Sequence, residues 1–155
     1  MPVYRKLDKL LPHVREATQK FISLLEQEQI RYVILETWRD QKVQGAYYAQ
    51  GRESLERINE LRKIAELPPI TLDEARRVIT HVRKSLHTEG KAVDIALLNP
   101  NGSIKWTIRN AEDAALVTHF GELGKLAGFE WGGDKHWTPL DKWGIGWDPY
   151  HFQIK

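Results

Sequence analysis

The stretch SLHTEGKAVD, residues 85–94, sets His87 and Asp94 on either side of Gly90. Asp94 opens into Ile95, Ala96, Leu97 and Leu98, and an ionised carboxylate leaving an apolar strand needs a partner. Near the C-terminus, GWDPYHFQI places Asp148 three residues before His151. Two imidazoles, a carboxylate and a second free carboxylate are the parts of a hydrolytic metal site. Catalytic zinc commonly takes three protein ligands and leaves a fourth position to water, and a carboxylate that does not ligate can take a proton there. His87, Asp94 and His151 as ligands with Asp148 as base is one assignment that fits. On spacing alone, a salt-bridged Asp94 with His151 in the core or at the surface is the plainer one, because neither HxxxxxxD nor DxxH is specific by itself.

The composition narrows the chemistry. No cysteine occurs among the 155 residues, so disulfides, thiolate zinc fingers and a cysteine nucleophile are excluded. Any metal must be held by His, Asp and Glu. A net charge of +2 gives no ground to expect nucleic acid as a partner. No apolar run approaches the roughly 18 residues of a membrane span, so no membrane insertion is expected. The N-terminal MPVYRKLDKLLPHVREA lacks the uninterrupted apolar core of a signal peptide, which predicts a chain made in the cytoplasm with no export address of its own. The length suits one domain spanning residues 1–155.

The elements that must position these side chains follow from periodicity. Leu10, Val14, Ala17, Phe21, Leu24 and Leu25 form the stripe of an amphipathic helix. Residues 30–35 (IRYVIL) read as a strand delivering Glu36, Thr37, Trp38 and Arg39 to its end. Residues 41–50 predict a helix stopped by Gly51, and 53–66 another stopped by Leu67-Pro68-Pro69. Thr71 with Glu74 resembles a capping box. Residues 92–98 form the second strand, and 111–127 a helix closed by Gly128. The last quarter crowds Trp131, Trp137, Trp143, Trp147, Tyr150 and Phe152 among Gly, Pro and Asp. The fold class is α+β.

Four separated blocks carry a family resemblance. Ser85, His87, Gly90, Ala92 and Asp94 are followed by Phe129, Trp131, Gly132, Gly133 and Asp134, then by Asp148, His151, Phe152 and Gln153. Upstream, ETWRDQKVQGAYYAQGR holds Arg39 and Gln44. In combination and order these resemble the zinc peptidases of bacterial cell walls, the D-alanyl-D-alanine carboxypeptidases, D-Ala-D-Ala dipeptidases and L-alanyl-D-glutamate endopeptidases of phage endolysins. The resemblance runs from about residue 30 to the C-terminus. It implies a small, mostly antiparallel sheet that carries the zinc site and is flanked by helices.

It also implies roles. His87, Asp94 and His151 would bind Zn2+, with Asp148 as general base. Arg39 would steady the oxyanion or grip substrate, as a forked cation can, against the alternative of a surface arginine paired with Asp40 or Glu36. Ser85 would hold substrate backbone or simply cap a turn. Gln44 would touch substrate or support Arg39. Of the tryptophans, Trp131 and Trp137 are the first choices to line a groove. His119 reads as a helix residue, His13 and His81 as surface positions, and His136 stays open. Two features depart from the family: Arg83-Lys84 in place of a glycine-containing turn, and the extra stretch 53–74. Residues 135–146 are also longer than the usual link and could rim the cleft.

The implied activity is hydrolysis of a peptide bond in the peptidoglycan stem peptide, L-Ala–D-Glu first, by a monomer. The implied setting is phage lysis, with release through a holin-type partner. The alternatives are a D-Ala-D-Ala carboxypeptidase or dipeptidase, a non-catalytic wall-binding module, and a lysozyme working through two carboxylates.

Overall fold

In the computed structural model, residues 3–134 and 141–155 are described. Pro12 starts α1 (Pro12–Gln27), where its missing N–H costs nothing, and the stripe Val14, Ala17, Phe21 and Leu25 is buried. Glu28 ends the helix, and Gln29 turns the chain with a φ of 57° into β1 (Tyr32–Glu36). Asp40 caps α2 (Gln41–Ala49) by accepting the Lys42 N–H at 2.8 Å. Ser54 caps α3 (Leu55–Ile64) in the same way through Arg57. Thr71 caps the single turn α4 (Leu72–Ala75). After a tight 3₁₀ turn, Leu86–Glu89, come β2 (Ala92–Leu97) and α5 (Ala111–Leu126). The short β3 (Glu130–Trp131) and β4 (His151–Gln153) end the chain.

The four strands form one sheet in the order β1-β2-β4-β3, and every neighbouring pair is antiparallel. The α+β class and the antiparallel sheet are therefore as expected. The helix 53–66 is shorter than expected at both ends, because the Ser54 cap starts it later and a left-handed Glu66 (φ 60°) stops it. Among the described residues, no helix is long and apolar enough to cross a membrane.

α1 and α5 cover the sheet with an aromatic core of Phe21, Phe120, Phe129 and Phe152, where Phe21 and Phe152 centroids lie 4.7 Å apart. A second, small core of Ala49, Ile58 and Ala75 holds α2, α3 and α4 together beside the cleft. Gly124 of α5 makes the main core possible: a Cβ there would lie 2.3 Å from Phe152 Cε1. Overpacking of this kind costs about 1–3 kcal/mol, and the roughly 1 kcal/mol of helix propensity that alanine returns does not offset so close a contact. Gly124→Ala should therefore lower Tm in thermal denaturation. An unchanged Tm would mean that Phe152 has room to retreat.

Candidate metal centre

Sheet register does the first part of the positioning. Asp94 of β2 sits directly opposite His151 of β4 on one side and Glu36 of β1 on the other. His87 arrives from the 3₁₀ turn. Ser85 caps that turn by accepting the His87 N–H at 3.2 Å, and Gly90 closes it in the left-handed region at φ 70°. A side chain at Gly90 would also strike the Lys9 carbonyl, 2.7 Å from the Cβ position, so glycine is required twice over. The Arg39 N–H donates to the His87 carbonyl at 3.2 Å and ties the turn to the end of β1.

Each imidazole is oriented by its far nitrogen. His87 Nδ1 lies 2.7 Å from the Thr37 carbonyl, to which it can only donate, and this leaves Nε2 facing Asp94 Oδ1 at 3.3 Å. His151 is turned the other way. Its Nε2 is 2.9 Å from Gln153 Oε1, and its Nδ1 faces Asp94 Oδ1 at 3.0 Å. Both neutral rings thus present a lone pair to the same point, with a carbonyl or amide oxygen fixing the tautomer, as is usual for metal-binding histidines. The three ligand atoms lie within 4.8 Å of one another. Donors around a tetrahedral zinc with 2.0–2.1 Å bonds sit roughly 3.3 Å apart, a spacing that the two contacts of Asp94 with the imidazoles already have.

The electrostatics are those of a site made for a cation. Burial pushes the Asp94 carboxyl up, but the hydrogen bonds and charges of His151 and His87 outweigh it and hold the group well below the usual carboxylate range. Burial pushes His151 down, and the bond and charge of Asp94 more than reverse this, so its pKa is raised. A raised pKa means more imidazolium at any given pH, and imidazolium cannot ligate. Protons should therefore compete with the metal from above the ordinary histidine value of about 6.5, and affinity should fall by about tenfold per pH unit for each proton displaced. Metal titrations at several pH values against a competing chelator check this. Affinity that is flat between pH 8 and 5 would contradict it.

Asp148 stands beside this trio without joining it. Its carboxyl is raised, first by burial and then by the charge of Asp94, with His151 and His87 pulling the other way. The Asp148 carbonyl accepts the His151 N–H at 3.2 Å, and it runs so close to Gly132 that a Cβ there would be 2.2 Å from it. One of the paired glycines of the W-G-G-D block thus exists to let the Asp148 turn approach.

Arg39 lines the same cleft, yet its fork is already gripped. Glu36 takes both Nε and Nη2, and Nη1 donates to Gln44 Oε1 at 2.6 Å. The alternative of a Glu36 pair is realised, but in a largely buried position rather than on the surface. Gln44 is fully buried and spends its amide N–H groups on the Val82 carbonyl at 2.8 Å and on Thr80. Substrate contact by Gln44 is thereby corrected to support of Arg39. Ser85 borders the cleft while its hydroxyl caps the turn.

Trp131 is a second correction. It is buried, donates from Nε1 to the Pro149 carbonyl at 2.7 Å, and packs in a slot cleared by Gly121 and Gly133. It belongs to the core, not to a groove. Trp137, His136 and the first half of the 135–146 segment lie outside the described residues. Among the described residues, the exposed aromatics at the cleft are Trp147, 65% exposed, and Trp106, 70% exposed. A tryptophan on either side of a polar, Gly- and Pro-rich turn gives no sequence signal of which one faces in.

The cleft has two lobes. A cavity of about 560 Å³ and one of about 590 Å³ share Asp94, Trp147 and Asp148 as their common wall. The first is lined by Trp106, Ile108, Trp143 and Tyr150, the second by Arg39, Lys84, Ser85 and His87.

The comparisons with known proteins agree with the resemblance read from the four blocks. Residues 80–154 match the family described as D-alanyl-D-alanine carboxypeptidase. The chain is 28% identical over 130 residues to the peptidoglycan L-alanyl-D-glutamate endopeptidase CwlK of Bacillus subtilis (strain 168). That match covers 81% of this chain and 66% of the relative, so the chain spans just under two thirds of that protein's length. Among solved structures, the L-Ala D-Glu endopeptidase ChiX of Serratia marcescens superposes with a TM-score of 0.51 at 18% identity, covering 96% of this chain and 83% of that one. The vancomycin-resistance D,D-pentapeptidase VanY in complex with Zn(II) gives 0.51 at 16%, covering 99% and 82%. At these identities the two structures speak for the fold.

Proposed function

We propose that this chain, whose residues 80–154 match the D-alanyl-D-alanine carboxypeptidase family and which is similar to an L-alanyl-D-glutamate endopeptidase, is a zinc metallopeptidase that hydrolyses the L-Ala–D-Glu bond of the peptidoglycan stem peptide. The observation that carries the choice of bond is the two-lobed cleft, which continues on both sides of Asp94 and Asp148. An enzyme that trims a chain end needs room on one side of the metal and a closed pocket on the other. A cut inside a stem still attached to glycan needs room on both.

His87 Nε2, His151 Nδ1 and an Asp94 oxygen would hold the zinc, which would supply a Lewis acid for the scissile carbonyl and lower the pKa of water. Asp148, with its raised carboxyl, accepts the proton of the attacking water and returns it to the departing amine. Arg39, fixed by Glu36 and Gln44, adds a stationary positive charge to the wall where negative charge develops. Its fork is spent on Glu36, so it acts through its field more than through a free bidentate grip.

Severing L-Ala from D-Glu releases a stem from its glycan strand whatever its cross-links, which suits wall lysis. The proposed setting is accordingly phage-type lysis, after a membrane-permeabilising partner opens the way. Digestion of intact sacculi, alongside a free D-Ala-D-Ala-terminated pentapeptide, tests the bond. New N-terminal D-Glu in the soluble fraction is expected. Release of free D-Ala alone would transfer the assignment to a carboxypeptidase, and new reducing sugar ends to a lysozyme.

A further inference from the structure

Resting on that reading, we infer that the aromatic lobe of the cleft is a sugar subsite, which takes the N-acetylated, lactyl-bearing sugar to which the stem peptide is attached.

The argument starts from chain length. In a stem peptide the first residue, L-Ala, is acylated by the lactyl group of the sugar. When the L-Ala carbonyl lies at the metal, one residue and one lactyl unit separate it from the pyranose ring. An extended backbone advances about 3.3–3.6 Å per residue, so the ring falls roughly 7 Å from the reacting carbonyl. It must therefore lie in a lobe contiguous with Asp94 and Asp148. Both lobes satisfy this, and their chemistry separates them.

The lobe lined by Arg39 and Lys84 suits the part of the stem that begins with D-Glu and carries free carboxylates: Lys84 can bond one directly, while Arg39, its fork held by Glu36, adds only its field. Lys84 is 69% exposed and only loosely paired, 3.6 Å from Glu89. Among the described residues, the two lysines of the opposite lobe are both engaged. Lys105 is already spent on Asp113 at 2.9 Å, and Lys142 lies over the Trp143 ring at 5.1 Å. What this lobe presents is ring surface: Trp106, Trp143, Trp147 and Tyr150, with Ile108 between them.

Trp106 is held for the task. Its ring leans on Tyr150 with centroids 6.1 Å apart, and the Tyr150 hydroxyl donates to the Lys105 carbonyl, next to Trp106 in the chain. A tryptophan left 70% exposed at a cavity mouth costs apolar hydration in the free protein, and that surface is covered when a flat, apolar ring face lies against it. The C–H face of a pyranose is such a surface, while its hydroxyl and acetamido edges remain free for solvent and for Thr107 at the rim.

Two substrates with the same L-Ala–D-Glu bond, one bearing the lactyl sugar and one N-acetylated at L-Ala, test the subsite. The sugar-bearing substrate should show a kcat/KM higher by about tenfold, as burial of part of an aromatic ring supplies. Trp106→Ala should bring that ratio near one, and Trp106→Phe should keep most of it. A binding measurement gives the second readout: the product, the sugar joined to L-Ala, should quench tryptophan fluorescence of wild type about tenfold more tightly than N-acetyl-L-alanine does. Melting curves show whether Trp106→Ala is folded; if it is not, the wild-type substrate and product ratios decide alone. Equal rates and equal binding with and without the sugar would overturn the subsite. That result would leave the bond assignment standing, since the sacculus digest reads it separately.

Discussion

His151→Ala protein should emerge from chelator-free purification without metal and without measurable hydrolysis, while the wild type carries about one zinc per chain. The loss is expected to be complete because the ligands depend on one another. His151 supplies one donor directly, and its hydrogen bond is the largest of the contributions that hold the Asp94 carboxyl down. Without it, the burial of Asp94 is answered by His87 alone, so the second ligand becomes easier to protonate as the first is removed. The same coupling makes a double substitution of His151 and Asp94 no worse than either single one. The fold should survive, since Phe152 and the β2 pairing anchor β4, and circular dichroism with a melting curve checks this. Elemental analysis gives the metal content. Full hydrolysis by metal-free wild-type protein would sink the reading.

The sequence showed the long elements and hid the short ones, for physical reasons. α1 and α5 declare themselves because sixteen residues of one period leave a buried stripe that no other structure satisfies. β3 and β4, of two and three residues, are too short to carry any period. β4 exists because β2 offers it an edge, and β3 because β4 in turn offers it the next one. The pairing of Asp94 with His151 therefore came from motif order, not from strand prediction. Gln44 was ambiguous because its partners, Val82 and Thr80, lie more than thirty residues along the chain. Trp131 was misplaced because the slot that swallows it is made of absent side chains, at Gly121 and Gly133. Glu36 and Thr37, which orient Arg39 and His87, sat in view at the end of a predicted strand. Their role shows only once the 3₁₀ turn is folded against that strand.

Asp148→Asn should keep the metal and the fold and lose about 10²–10⁴ of kcat, the usual worth of a positioned proton acceptor. Asparagine preserves the shape of the side chain and the packing of its turn against Gly132, and it removes only the capacity to take a proton. The metal should stay because Asp148 is not one of the three clustered ligands. KM should change little, since an amide and a carboxylic acid fill the same space at the junction of the two lobes. A base serves best when its pKa lies toward the working pH, and the burial of Asp148 beside the charge of Asp94 moves it in that direction. Among the described residues, the carboxylates that could substitute are already engaged. Glu89 faces Lys84, and Asp141 accepts the backbone N–H groups of Trp143 and Ile145 at 2.8 and 3.0 Å, so each is held in a structural contact. If Asp148→Asn nevertheless turns over near the wild-type rate with one metal bound, the proton goes elsewhere, and Glu89→Gln and Asp141→Asn are the variants that would locate it.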